Sequence, residues 1–266
     1  MRRMIGFDCE GARLAATLDE GNEATGLLIV SGGNEIRSGA HAGQAAMAAH
    51  FAARGHPVFR YDRRGTGESE GTNRGFESSG PDIAAAVAAF RHEVPSMQRL
   101  VAYGNCDAAS ALAFFHNKLE IDALVLANPW VIESASDEGA APPASAIRAR
   151  YWSRIKNPRS LIDLFTGKID LRKLAGGVIR ATQTEKPTGL AATLASALKG
   201  SKVPVTILIA ERDTTAMAFM AVWRTKLFET ARAQTTLRSY DTASHSFADE
   251  AAKTWLLGHI GEVLAD

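Results

Sequence analysis

A thiol at a fixed spacing from small residues is the first chemical signal in the chain. In Tyr103-Gly104-Asn105-Cys106-Asp107-Ala108 the cysteine stands between an apolar run, LVAYG, and a helix-forming run, DAASALAFFH. Gly104 and Ala108, two before and two after it, are the small residues that a sharp strand-to-helix turn demands where backbone passes close by. A nucleophile on such a turn stands exposed above a sheet. The helix that follows favours a thiolate through its N-terminal dipole, an effect that Asp107 opposes. Such a nucleophile needs a base, and the base needs an orienting acid. His245, in SYDTASHSF, lies in a loop after the last expected strand. Of seven histidines only His245 and His259 follow Asp213, and His259 falls inside a terminal helix. Asp213, in ILIAERDTTA, follows a late strand and is the expected acid. Glu211 is its competitor, close enough to the strand end for its direction to stay open. An isolated cysteine after an apolar strand is ordinarily a small buried hydrophobe, and Cys9 is read that way.

Two loops support the same chemistry. Asp62-Arg63-Arg64-Gly65-Thr66-Gly67-Glu68-Ser69-Glu70-Gly71 resembles the D-x-R-G-x-G-x-S-x-G loop of α/β-hydrolases, one strand-helix unit before the thiol. Its role there is structural, and Asp62, Asp107 and Asp241 are read as cap or loop residues. Gly32-Gly33-Asn34 follows the apolar run GLLIVS. In a nucleophile-elbow fold an N–H from this loop joins the N–H after the nucleophile to hold an oxyanion. That assigns the Asp107 N–H, together with the Gly33 or Asn34 N–H. A plain glycine turn is the alternative reading of the loop.

These residues must be positioned by alternating elements. Residues 4–18 read as two antiparallel strands turning at Glu10-Gly11. Residues 26–31 form a strand buried on both faces, and 41–54 an Ala-rich helix closed by Gly55. PVFRYD, LVAYG and ALVLANP are further strands, separated by helices at 81–93 and after Cys106. The rhythm breaks over 130–200 and resumes with VPVTILIA, a helix around 217–231, the strand TTLRSYD and a last helix from about 248. This density of alternation predicts a mostly parallel central sheet with helices on both faces, with residues 1–129 and 201–266 as its core. The resemblance of the Asp62–Gly71 loop and the cysteine turn to those of α/β-hydrolases implies an α/β-hydrolase fold. Residues 130–200 are read as a helical cap inserted into it.

Composition excludes other classes. The 266 residues carry a formal charge of +1, with 46% hydrophobic and 22% charged residues. That is globular composition, too apolar for a disordered chain and without the basic field that holds nucleic acid. No apolar run approaches the ~20 residues of a membrane span. The N-terminus, MRRMIGFDCEGAR, develops no apolar signal region, so a cytoplasmic, reducing location with both thiols free is expected. Two cysteines outside any CxxC pair imply no structural zinc, and neither a metal nor an organic cofactor is expected. The oligomeric state stays open.

The segments IVSGGNEIRSGAH, FRYDRRGTGESEG, YGNCDAASAL and LVLANPWV together resemble the exosortase A system-associated hydrolases of type 1. These are α/β-hydrolases that carry cysteine where serine is usual. The similarity spans nearly the whole chain, weakest over 135–200. It implies association with bacterial exopolysaccharide and protein-sorting loci, without a settled substrate. The cysteine elbow is shared with dienelactone hydrolases.

The expected reaction is therefore transfer of an acyl group to water from a small-molecule ester or thioester, with Cys106 as nucleophile, His245 as base and Asp213 as orienter. The rival is a non-catalytic homologue that binds a ligand under the cap; the retained acid and histidine argue against it. Residues 147–180 hold nine Lys/Arg against two Asp, a net +7. A solvated helical face is the ordinary reading of such a run. A basic rim above Tyr151, Trp152 and Phe165 would instead suit an acyl chain on an anionic, carrier-linked group.

Overall fold

The apolar runs are nearly unbroken because the strands they form are covered on both faces. The computed structural model describes residues 1–133 and 189–266. The chain opens with a hairpin of β1 (Arg2–Cys9) and β2 (Ala12–Asp19), paired antiparallel from Arg2–Asp19 to Cys9–Ala12. Its turn places Glu10 and Gly11 at positive φ, a conformation glycine adopts without steric cost. β3 (Thr25–Val30), β4 (Val58–Tyr61), β5 (Arg99–Asn105), β6 (Ala123–Ala127), β7 (Val205–Ala210) and β8 (Thr236–Tyr240) complete an eight-stranded sheet. The order is β1-β2-β4-β3-β5-β6-β7-β8; only the β1–β2 and β2–β4 pairs are antiparallel.

Period-two alternation divides each inner strand between two cores. Leu28, Val30, Leu100, Ala102, Leu124, Leu126, Ile207 and Ile209 face one core, with α2 (Gly80–Glu93), α3 (Asp107–Phe115), α4 (Gly189–Lys199), α5 (Thr214–Trp223) and α6 (Glu229–Gln234). Leu27, Ile29, Val101, Tyr103, Val125 and Leu208 face the other, under α1 (Gly43–Ala52) and α7 (Glu250–Ala265). Each fully buried large side chain contributes roughly 1.5–3 kcal/mol.

The crossover that matters for the site is at β3. The chain leaves β3 for β4 on one side and returns to β5 on the other, so the loops after β3 and β5 flank a topological switch point, where α/β sheets hold their ligands. Val30 pairs with Gly104, which sets the Gly32-Gly33 loop beside the cysteine turn. The Asp62–Gly71 loop is organised from inside. Asp62 is fully buried and accepts the backbone N–H groups of Arg37 (2.5 Å) and Glu68 (3.1 Å) and the Arg37 guanidinium. Ser69 Oγ donates to the Asp62 carbonyl at 2.7 Å.

Two sequence expectations meet a different structure. The helix around 217–231 is interrupted: α5 ends at Trp223, a 3-10 turn spans Lys226–Phe228, and α6 begins at Glu229. The Arg232 guanidinium crosses the break to the carbonyls of Trp223 and Thr225, satisfying acceptors that a continuous helix would have paired internally. Within the stretch read as a cap, α4 packs Ala191, Leu194, Ala195 and Leu198 into the core beside α3. The remainder of that stretch, residues 134–188, lies outside the described residues, and the basic run at 147–180 with it.

Candidate active site

Cys106 occupies the turn between β5 and α3 with φ 64° and ψ −127°. A non-glycine residue at positive φ is strained and persists only where its surroundings hold it. Here the Cys106 N–H donates to the Ala127 carbonyl (3.0 Å), and its own carbonyl accepts from Trp130 N (3.2 Å) and Ala109 N (3.2 Å). The small neighbours are required: a Cβ at Gly104 would lie 2.8 Å from the Ala108 carbonyl carbon and 3.0 Å from Ala109 N. Cys106 is half-buried and free of any disulfide. Cys9 is also free but buried, and its Sγ donates to Asp82 Oδ1 at 3.5 Å. Burial, then the Asp82 carboxylate, push the Cys9 thiol up to about 11.

His245 comes from the loop after β8. Its Nδ1 lies 3.0 Å from Asp213 Oδ2, and Cys106 is close enough to act on its proton affinity. Asp213 first, and Cys106 second, hold the imidazole up at about 10, against the opposing effect of burial. The structure thus brings Cys106, His245 and Asp213 together. Asp213 is buried at the N-cap of α5, where its Oδ2 accepts the Ala216 N–H at 2.9 Å. Glu211 points elsewhere; its carboxylate accepts Ser239 Oγ at 2.6 Å. His259 pairs with Glu262 on α7, and Asp241 with Arg212.

The loop after β3 approaches the turn closely. Gly33, at φ 55°, directs its N–H at Asp107 Oδ1, 2.7 Å away. Asp107 is the first residue of α3, after the N-cap Cys106, and its carboxylate reaches across to the neighbouring loop. Asn34 accepts Asn73 Nδ2 through its side-chain oxygen at 2.9 Å. A cavity of about 150 Å³, bordered by Met47, Tyr103, Asn105, Ser246 and Phe247, adjoins the sequence neighbours of Cys106 and His245.

Two residues that sequence spacing does not single out fix the histidine loop. Asn105 Nδ2 (3.1 Å) and Asn128 Nδ2 (3.0 Å) both donate to the His245 carbonyl. Asn128 is fully buried at φ 43°, and its Oδ1 accepts the Ala210 N–H at 2.8 Å. An asparagine immediately after a buried strand is the available signal, since asparagine tolerates the left-handed region. Among the described residues no cluster of three or more His, Cys, Asp or Glu is arranged to hold a metal ion, and no helix is long and apolar enough to cross a membrane.

The model of the Hydrolase_4 family, described as serine aminopeptidase S33, matches residues 24–252. No curated protein matches the chain. Among solved structures, the Pyrococcus furiosus esterase Pf2001 superposes with a TM-score of 0.66 at 14% identity, covering 100% of this chain and 91% of that one. DcsB, solved with its substrate analogue, gives 0.65 at 15% identity over 100% and 99% of the two chains. The thioesterase domain from the curacin biosynthetic pathway gives 0.57 at 14% identity over 98% and 99%. At such identities the likeness is one of fold, the α/β-hydrolase fold.

Proposed function

Since the chain belongs to the serine aminopeptidase S33 (Hydrolase_4) family of α/β-hydrolases, we propose that it hydrolyses an ester or thioester through Cys106, His245 and Asp213. The observation that carries this reading is His245, whose Nδ1 lies 3.0 Å from Asp213 Oδ2 and whose imidazole is raised by Asp213 and then by Cys106. The family's description names a serine; the turn here holds a cysteine, so the chemistry is that of a thiol. The esterase and thioesterase among the solved structures of this fold are consistent with acyl transfer.

In the proposed cycle His245 holds the proton given up by Cys106. The sulfur attacks the substrate carbonyl carbon, forming a C–S bond and an oxyanion. The N–H of Asp107 and an N–H of the Gly33-Asn34 loop face that oxygen; one such donor is worth ~2.7–4 kcal/mol in acyl-transfer enzymes. As the tetrahedral species collapses, the bond to the leaving group breaks and His245 gives that group its proton. Water then attacks the acyl-Cys106 carbon while neutral His245 removes a proton from it. The C–S bond breaks, the carboxylic acid leaves, and the imidazolium–thiolate pair is restored. Asp213 keeps the imidazole oriented and stabilises its charge throughout.

The resemblance to exosortase A system-associated hydrolases adds a setting, a bacterial exopolysaccharide and protein-sorting locus. Residues 130–188 are proposed as the cap over the thiol. The basic run at 147–180 suits an anionic, carrier-linked acyl group, whose attraction would be screened over the ~8–10 Å Debye length. The decisive experiment is trapping: incubation with activated esters and thioesters, then peptide mass spectrometry. An acyl adduct on Cys106, absent from Cys106→Ala, is expected. A chain that binds such compounds without ever forming the adduct is a binding homologue instead. In turnover, added salt should lower kcat/KM for anionic acyl substrates and spare neutral ones; equal responses return the basic run to a solvated face.

A further inference from the structure

We infer that the Asp107 carboxylate plugs the oxyanion site of the resting protein and that Arg63 is the group that receives it when a substrate carbonyl enters. The inference rests on the reading of Cys106 as nucleophile. Its starting point is a donor already in use. The Gly33 N–H, which would serve the oxyanion, donates to Asp107 Oδ1 at 2.7 Å. A carboxylate oxygen there presents to the donor the charge and the atom that the tetrahedral intermediate would present. One N–H cannot serve both oxygens well, and two anionic oxygens side by side repel.

The surrounding backbone is shaped around this carboxylate. A Cβ at Gly32 would lie 2.7 Å from Asp107 Oδ1 and 2.7 Å from the Asn105 carbonyl. Only glycine leaves room for the side chain to lie across the loop.

Arg63 supplies the second position. It is 3% exposed. Its Nη2 donates to the Gly33 carbonyl and lies 3.7 Å from Asp107 Oδ2, within ion-pair range but beyond a hydrogen bond. Its Nε and Nη1 are buried with no hydrogen-bond partner among the described residues. A buried guanidinium with two unpartnered nitrogens is costly, and a carboxylate is the acceptor whose geometry it fits. A short shift of Asp107 towards Arg63 exchanges the Gly33 contact for a charge-assisted one and frees the donor. Arg63 is thus a positioning residue that acts through Asp107. The apparent reactivity of the site is its intrinsic reactivity scaled by the fraction of molecules in which the donor is free.

The test is pre-steady-state acylation by p-nitrophenyl acetate, followed as the burst of p-nitrophenol with the adduct on Cys106 checked by mass. Asp107→Ala keeps the backbone N–H and removes the plug; its acylation rate should rise, by about tenfold if the donor is free in roughly a tenth of molecules. Asp107→Asn, whose amide oxygen still accepts the Gly33 N–H, should gain less. Arg63→Met should slow acylation in the parent by a similar factor, yet change it little in the Asp107→Ala background, because there is no carboxylate left to receive. Arg63→Lys keeps the charge and should retain most of the parent rate, which covers the case in which Arg63→Met folds poorly. A loss of rate in Asp107→Ala, or an Arg63→Met loss that persists in the Asp107→Ala background, overturns the inference while leaving Cys106 as nucleophile. Absence of any adduct on Cys106 in the parent and every variant removes the nucleophile reading, and the inference falls with it.

Discussion

Oδ2 of Asp213 serves two partners at once: it accepts the Ala216 N–H at 2.9 Å and lies 3.0 Å from Nδ1 of His245. The helix cap thereby fixes the carboxylate that fixes the imidazole. Asparagine caps helices as well as aspartate does, so Asp213→Asn should leave the melting temperature nearly unchanged. It should lower kcat by ~10³–10⁴, because the amide cannot stabilise the imidazolium or select its tautomer. Glu211→Gln should change kcat by no more than roughly twofold, as surface substitutions do. Steady-state kinetics on both variants decides between the two acids; a large loss in Glu211→Gln would reverse the assignment.

The two thiols should separate in a labelling experiment. Cys9 is buried, bonded to Asp82 and raised to about 11, whereas Cys106 is half-buried beside the His245 imidazole, itself raised by Asp213 and then Cys106. Iodoacetamide at pH 7 should therefore alkylate Cys106 first, and His245→Ala should slow that reaction while leaving Cys9 as inert as before. Peptide mapping of the carbamidomethyl mass over time reads both rates. Earlier labelling of Cys9 would contradict the assignment.

Much of the site is legible in the sequence because it depends on local backbone rules. The flanking Gly104 and Ala108 betray the strained turn, and the acid follows a strand, VTILIA, that announces itself by apolar character, whereas the histidine follows the mostly exposed TLRSY, legible from its place in the strand-helix rhythm. What is not legible depends on which loops the topology makes neighbours. Spacing alone makes Asp107 a cap or loop residue, yet its carboxylate crosses to a backbone N–H 74 residues away. Asn128 reads as the end of a strand; that it joins β7 to the histidine loop follows only once β5, β6 and β7 lie side by side. The break between α5 and α6 has the same origin, a side chain from the second helix satisfying carbonyls at the end of the first.

Asn128 yields a prediction of its own. Asn128→Ala strips the Ala210 N–H of its acceptor and the His245 carbonyl of one of its two amide donors. Leaving a buried polar group unsatisfied costs ~1–3 kcal/mol, so denaturant unfolding should show a loss of that order. Because the His245 loop loses one of its two tethers, kcat should fall as well, with KM less affected. Asn105→Ala, which leaves the Asn128 tether in place, should cost less stability. Equal stability of Asn128→Ala and the parent would show that the amide is not holding the loop.

Gly104→Ala tests the turn directly. The added methyl would meet Ala108 and Ala109 backbone at 2.8–3.0 Å, and backbone gives way at greater cost than a side chain. A loss of ~1–3 kcal/mol is expected, read as a fall in melting temperature of about 2–4 °C per kcal/mol for a chain somewhat above the 150–250-residue range. Alkylation of Cys106 should slow in the same variant, since the turn that presents the thiol is displaced. Gly258→Ala, at a position where a Cβ meets nothing within 4 Å, is the matched control on a helix.

The raised imidazole sets the pH dependence, and its sign differs from that of a paired carboxylate. His245 titrates near 10 in the folded protein against an ordinary value of 6.5, chiefly through Asp213 and then Cys106. A group raised on folding binds its proton more tightly in the native state, so its stabilisation is complete below about pH 6.5 and is lost as pH rises towards 10. The stability gap between the parent and His245→Gln should therefore be widest near pH 6 and close by about pH 10, in denaturant titrations at fixed ionic strength. The side chain is 39% exposed, so solvent screening makes the gap smaller than the size of the shift alone implies. The same proton governs alkylation: the parent rate should vary little between pH 7 and 9, because the imidazole keeps its proton throughout. In His245→Ala the rate should climb over that range as it does for a free thiol, which ionises near ~8.5. Parallel pH profiles for the parent and His245→Ala would mean that the imidazole does not hold the thiol's proton.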